Sequence, residues 1–301
     1  MQRRTLLKAL IAFGSTPPLA AQVAPRSQAS KMRTKKIPSS GEALPVIGLG
    51  TWQSFDVPHE GRVTLEAVLR EFVALGGSVI DSSPMYGRSE EVAGDLIAKL
   101  GVREKLFVAT KVWTTGSAAG IAQMAASENK LKAKRLDLLQ VHNLQDLETH
   151  IETLQAWKAA GRVRYIGITH YTQSAFDAVA KVMRAYPVDF LQINYSIGER
   201  AAESVLLPLA KERGIAVIVN RPFAGGELFR RLRSQPLPAW AGEVGCASWA
   251  QLMLKFVLSH PAVTCAIPAT SRIEHLRDNM AAGIGAMPDE EMRANIAALV
   301  S

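Results

Sequence analysis

The stretch Leu75-Gly76-Gly77-Ser78-Val79-Ile80-Asp81-Ser82-Ser83-Pro84-Met85-Tyr86-Gly87 decides how this chain folds. Before it, Leu65, Val68, Phe72 and Leu75 recur at the three-to-four spacing of a helix face. Gly76-Gly77 then stops that helix, because glycine accepts the left-handed backbone of a C-terminal cap. Ser78–Asp81 is a short, nearly continuous apolar run ending in a carboxylate. A strand with both faces buried has that look. A polar loop with Pro84 and Gly87 follows, and helical spacing resumes over Glu90–Leu100.

The same unit recurs outward in both directions. Strands are expected at Val46–Gly50, Ser78–Asp81, Leu106–Lys111, Leu136–His142, Tyr165–Thr169, Asp189–Ile193, Ala216–Asn220 and Thr264–Ile267. Helices are expected at Leu65–Leu75, Glu90–Leu100, Ala119–Leu131, Leu147–Ala160, Ser174–Ala185, Ser204–Arg213, Ser248–Leu258 and Ile273–Ala281. Eight strands, each followed by a helix, predict a closed parallel (β/α)8 TIM barrel, a fold of about 250 residues. Ser39-Ser40-Gly41 between two short stretches of Thr34–Pro45 predicts an N-terminal β-hairpin capping the barrel bottom. The competing architecture is an open doubly wound sheet, which wants Gly-x-Gly-x-x-Gly after an early strand. The sole candidate is Gly48-Leu-Gly50-Thr-Trp-Gln53, with Gln in the third glycine position. No domain-breaking linker follows residue 34, so 34–301 reads as one domain.

Composition narrows the partners. The 301 residues are 48% apolar, enough for a packed core, and carry a formal net charge of +8. Eight bases and no acids fall in residues 1–36, and the remaining bases balance the 27 acids. The basicity therefore belongs to an N-terminal arm. A clustered cationic face for nucleic acid is missing. Arg3-Arg4, then Leu6-Leu7-Lys8 and a modestly apolar stretch to Ala21, has the layout of an export signal of the twin-arginine type. Residues 1–24 are read as that signal and 25–33 as a linker, which implies a periplasmic protein. The alternative is a basic tail on a cytoplasmic one. The apolar stretch is too short to span a bilayer, which needs about 20 residues. Cys246 and Cys265 leave two readings open, a disulfide or two buried free thiols, and the second is the simpler. The six histidines make no metal-spaced pair, so no metal site is expected.

Function in such a barrel sits at the C-terminal ends of the strands. Asp81 ends the second strand, Tyr86 lies in the loop after it, Lys111 ends the third and His142 the fourth. Singly, each has an ordinary reading as a cap, a packing ring or a structural histidine. Together, at successive strand tips, they suit proton donation to a carbonyl that accepts hydride. An unperturbed phenol has a pKa of about 10, a nearby ammonium lowers it, and an Asp holds that ammonium charged. A neutral His adds a second donor where negative charge develops.

These residues resemble the aldo-keto reductase superfamily over about residues 34–300. The motifs stand in the family's order: Gly-Leu-Gly-Thr-Trp (48–52), Ile-Asp-Ser-Ser-Pro-Met-Tyr-Gly (80–87), Ala-Thr-Lys (109–111), Leu-Leu-Gln-Val-His (138–142), Gly-Ile-Thr-His (167–170), Leu-Gln-Ile-Asn-Tyr (191–195) and Ile-Pro-Ala-Thr-Ser (267–271). The resemblance implies reduction of aldehydes or ketones to alcohols, with Tyr86 as proton donor supported by Asp81, Lys111 and His142. It implies NADPH, with NADH left open, lying across the barrel mouth. Thr169, His170 and Gln192 would hold the nicotinamide amide, with Thr51 and Trp52 nearby. Asn220 stands where the family often has a stacking aromatic, with Arg221 or Phe223 as candidates to compensate. Ala269 stands where a lysine is common, leaving Thr270, Ser271 and Arg272 for a 2′-phosphate at a helix N-terminus and Asn279 for the adenine side. Trp52 and Trp113 are expected to wall an apolar substrate pocket. The chain is read as a monomer acting on a small carbonyl compound. The second reading is a cofactor-binding barrel with a regulatory role and little turnover.

Overall fold

The computed structural model describes residues 31–300. The expected export signal and most of the linker lie outside the described residues. Packed chain begins at Met32, which is buried, and Arg33, whose N–H and guanidinium donate to Gly283 O and Gly285 O.

Strands β1 (Thr34–Lys36) and β2 (Ala43–Pro45) pair antiparallel as the expected hairpin. The sheet that follows is parallel and runs in sequence order: β3 (Leu49–Gly50), β4 (Val79–Asp81), β5 (Phe107–Val112), β6 (Leu136–His142), β7 (Val163–Thr169), β8 (Phe190–Asn194), β9 (Ala216–Asn220) and β10 (Val263–Ala266). Bridges Ile47/Ala266 and Gly50/Ala269 join the last strand to the first and close the barrel. The seam explains the two early glycines. A Cβ on Gly48 would lie 2.8 Å from Val79 O, and one on Gly50 2.7 Å from Ile267 O. Gly48-Leu-Gly50 is thus a point of close backbone approach in a barrel wall, not a phosphate loop.

Helices α1 (Arg62–Ala74), α2 (Ser89–Leu100), α3 (Ser117–Lys130), α4 (Leu147–Ala159), α5 (Phe176–Ala185), α6 (Leu206–Glu212), α8 (Trp249–Ser259) and α9 (Ile273–Ala281) overlap the eight expected ones. Two more were not expected, α7 (Glu227–Leu232) and α10 (Glu290–Ala298). The segment expected to be helical from Ser204 becomes regular only at Leu206, after a 3₁₀ turn over Ala201–Glu203.

Two-residue periodicity along the strands builds the interior. Val79, Phe107, Ala109, Leu138, Tyr165, Phe190, Ala216, Ile218 and Cys265 form one buried cluster inside the barrel, with Ile37 and Leu44 of the hairpin among them. Phe107, Tyr165 and Phe190 pack ring on ring at 5.5–5.8 Å. The hairpin plugs the bottom. The Tyr165 hydroxyl donates to Glu42 Oε2 at 2.6 Å and lies 2.7 Å from Ser40 Oγ, and Lys35 Nζ donates to Leu258, His260 and Val263 carbonyls. Cys246 and Cys265 are both buried free thiols, so the disulfide reading does not hold.

Candidate active site

The same inward face that carries the aromatic floor carries the polar tips. On β4 the inward residues are Val79 and Asp81, on β5 Phe107, Ala109 and Lys111, on β6 Leu138, Gln140 and His142, each two residues above the last. Parallel register then sets them side by side, with Asp81 opposite Ala109 and Lys111 opposite Gln140. Three consecutive strands deliver a carboxylate, an ammonium and an imidazole to one mouth.

Lys111 is wholly buried. Its Nζ donates to Asp81 Oδ2 at 2.6 Å and to Ser82 O at 2.7 Å, and lies 5.2 Å from the centre of the Tyr86 ring. Burial opposes the Lys111 charge, but Asp81, and then Tyr86, raise its pKa above the ordinary lysine value. The other oxygen of Asp81 accepts from Gln192 Nε2 at 2.8 Å and Gln140 Nε2 at 3.4 Å. Every face of that carboxylate is held.

Tyr86 corrects one sequence expectation. Burial pushes the phenol up and outweighs the opposing charge of Lys111, so the net direction is upward and not downward. Tyr86 therefore holds its proton at rest, with the charged Lys111 beside its ring. His142 stands edge-on to Tyr86, with centroids 6.0 Å apart and planes at 84°. Burial first, then the charges of Lys111 and His170, push its pKa down to about 3, so the ring is neutral. Its Nδ1 lies 3.0 Å from Ser83 Oγ.

The remaining expected residues fall into four groups. Thr51 is buried, and its hydroxyl is shared between Asp81 O and Ser82 Oγ, which makes it a brace for the β4 tip. Thr169 donates to Gln192 Oε1 at 3.1 Å, linking it to Asp81 through that amide. His170 Nδ1 accepts the Tyr171 and Thr172 N–H groups, leaving Nε2 as its donor. Asn220 donates to His170 O, while its Oδ1 and the adjacent Arg221 Nε are buried without a partner. Beyond β10, Thr270 Oγ1 accepts the Arg272 N–H. Ser271 and Arg272 are exposed, with Arg272 3.8 Å from Glu274, and Asn279 is buried on α9. Trp52, Trp113 and Met85, just past β3, β5 and β4, are exposed at 44%, 42% and 41%. Two surface cavities, beside α10 and at the foot of β5 to β7, include none of these residues.

Three residues of the site were not singled out from sequence. Gln140 had a signal, since it sits two residues before His142 and so shares its inward face. Ser82 and Ser83 had none, because their contacts depend on how the loop after β4 turns back across the mouth.

Residues 46–299 match the Aldo/keto reductase family. The chain is 30% identical over 258 residues to the methylglyoxal reductase YeaE of Escherichia coli (strain K12), covering 83% of this chain and 89% of that one. It is 30% identical over 251 residues to the pyridoxine 4-dehydrogenase of the same organism, covering 76% and 84%. A Klebsiella pneumoniae aldo/keto reductase solved in complex with NADP and acetate superposes with a TM-score of 0.75 at 28% identity, covering 86% of this chain and 93% of that one. A barrel closed at a glycine seam, three polar strand tips with Tyr86 in the adjoining loop, and a match running from just after β2 almost to the C-terminus agree: the chain belongs to the aldo/keto reductase family.

Proposed function

We propose that this protein reduces aldehydes or ketones to alcohols with NADPH, Tyr86 giving the proton. The observation that carries the reading is the buried Lys111–Asp81 pair, 2.6 Å apart, set against the ring of an acid that burial keeps protonated. NADPH bound at the mouth supplies the hydride. The residues present fit such a group. Asn220 Oδ1 and Arg221 Nε are a buried acceptor and donor left unpaired at the β9 tip. Helix α9 begins without a side-chain cap, so its N–H groups and Arg272 suit a phosphate. The names of the relatives support the same chemistry, as does the NADP in the Klebsiella structure.

The chain's own part is proton supply and charge stabilisation. A carbonyl oxygen that gains negative charge meets the Tyr86 hydroxyl and the neutral His142 ring together. Tyr86 releases its proton to that oxygen, and Lys111, charged and fixed by Asp81, stabilises the phenolate. Gln140 and Gln192 keep Asp81 from turning away. Trp52, Met85 and Trp113 wall the approach, which favours apolar or aromatic carbonyl compounds over highly charged ones. These residues all lie in one chain, so a monomer would suffice as the working unit.

The test is spectroscopic. Purified protein given NADPH and a panel that includes methylglyoxal and aromatic aldehydes should lose absorbance at the nicotinamide band. Tight NADPH binding with no loss across the panel would favour the binding-protein reading instead. We propose also that residues 1–24 direct export of the protein to the periplasm. Arg3-Arg4 and the apolar stretch after it support this, and cell fractionation with and without Arg3→Lys/Arg4→Lys tests it. A wild-type protein found wholly in the cytoplasm would overturn it.

A further inference from the structure

We propose that Ser83 is a positioning residue that fixes the single proton of His142 on Nε2, so that the ring offers an N–H to the carbonyl oxygen. The consequence for turnover rests on the reductase reading above; the tautomer itself does not.

Ser83 follows β4 and His142 ends β6, yet the two side chains meet across the strand between them, with Oγ 3.0 Å from Nδ1. Such a contact has two forms. Either Nδ1–H donates to the hydroxyl, or the hydroxyl donates to a bare Nδ1. The other neighbour of Ser83 separates them. Met85 N–H donates to the same Oγ at 3.4 Å. If Nδ1 also donated, Oγ would receive two N–H groups. Its own O–H, wholly buried, would then face no acceptor among the contacts described for it. If the hydroxyl donates to Nδ1, both the Ser83 O–H and the Met85 N–H have an acceptor. A buried polar hydrogen without one is the costlier arrangement, so the second form is adopted.

The ring is neutral and carries one proton. With Nδ1 as acceptor, that proton sits on Nε2, on the far side of the ring from Ser83. Tyr86, edge-on to the same ring, is the other donor. The loop after β4 thus does two things: it carries Tyr86, and through Ser83 it sets the protonation pattern of the histidine beside it. In the other tautomer a lone pair would face the developing alkoxide and repel it.

Protein labelled with 15N at histidine reads the tautomer directly, with the His142 signals identified by their loss in His142→Asn. In the wild type, Nδ1 should resonate as a bare nitrogen and Nε2 as a protonated one, unchanged between about pH 5 and pH 8. In Ser83→Ala the two signals should move toward each other as tautomers mix. The turnover number should fall about tenfold with the KM for NADPH unchanged, and Ser83→Thr should restore both. A protonated Nδ1 in the wild type, or an unaltered tautomer in a folded Ser83→Ala, would overturn the assignment. Should Ser83→Ala not fold, the wild-type spectrum still decides. A bare Nδ1 in a protein that reduces no carbonyl compound would sink the reductase reading and leave the tautomer standing.

Discussion

At the scale of single residues, Tyr86 and Lys111 separate chemistry from stability. Tyr86→Phe removes one hydroxyl from a half-buried ring and leaves the packing in place. Turnover should drop by about 10²–10⁴-fold, the usual worth of a positioned acid, with the thermal midpoint nearly unchanged. A variant that kept full activity would remove Tyr86 from its role. Lys111→Met is a different experiment. It leaves the Asp81 carboxylate buried without its cation, and breaking a buried pair from one side costs about 3–5 kcal/mol. The two glutamine amides that remain on Asp81 place the expectation at the low end of that range. Urea denaturation checks it, and a loss below 1 kcal/mol would mean the carboxylate takes up a proton or finds another donor. Activity and stability fall together in this variant, whereas in Tyr86→Phe only activity falls.

At the scale of elements, α2 is the helix that anchors the Tyr86 loop, and its seat depends on Gly94. A Cβ there would lie 2.0 Å from Lys130 O and 2.8 Å from the Leu131 backbone, at the end of α3. Alanine is the better helix former by up to about 1 kcal/mol, but the obstacle is backbone that cannot swing aside. Gly94→Ala should therefore destabilise by about 1–3 kcal/mol, seen as a lower urea midpoint. A neutral or stabilising result would mean α2 and α3 slide apart freely. At the other end of the barrel, Ile37 is wholly buried in the plug. Ile37→Ala should cost about 2–5 kcal/mol and leave the KM for NADPH alone, because the mouth is at the opposite end. The elements were largely legible in sequence for one reason: a buried parallel strand is a continuous apolar run, and each run here is fenced by glycine or a helical period. The two helices missed escaped this reading for separate reasons. Helix α7 has six residues after Ala224-Gly225-Gly226, too short for a period to register. Helix α10 did carry a start signal, Asp289 capping Met292 N–H with Glu290 and Glu291 in the first turn. It stands outside the eight-fold alternation, so nothing in the barrel pattern asks for it. The site divides the same way. Residues fixed by strand register, Asp81, Lys111 and His142, could be read off. Contacts made by loop side chains, Ser83 above all, could not, since a loop's path is set by packing and not by period.

At the scale of the whole molecule, stability depends on pH through rings the fold keeps neutral. His142 is held to about 3 and His260 to about 4, in both cases chiefly by burial. In the unfolded chain a histidine titrates near 6.5. As pH falls from about 6.5 toward those lower values, the unfolded chain takes up protons that the folded protein refuses. The sign follows: this contribution is level above about pH 7 and declines on acidification, on the order of 1 kcal/mol per pH unit for the buried His142 ring and less for the more exposed His260. Glu90 works the other way, because burial raises its pKa and the folded state accepts its proton early. The difference between variants isolates the histidine term. Urea midpoints for wild type and His142→Gln, taken from about pH 7.5 down to about pH 5.5, should converge as pH falls, since only the wild type carries the ring that the unfolded state protonates. Parallel curves would show that His142 titrates alike in both states, and the neutral donor that the mechanism needs would then be absent at mildly acidic pH. The same desolvation that keeps His142 neutral makes the barrel acid-sensitive, so one measurement on the whole protein bears on the chemistry of one ring.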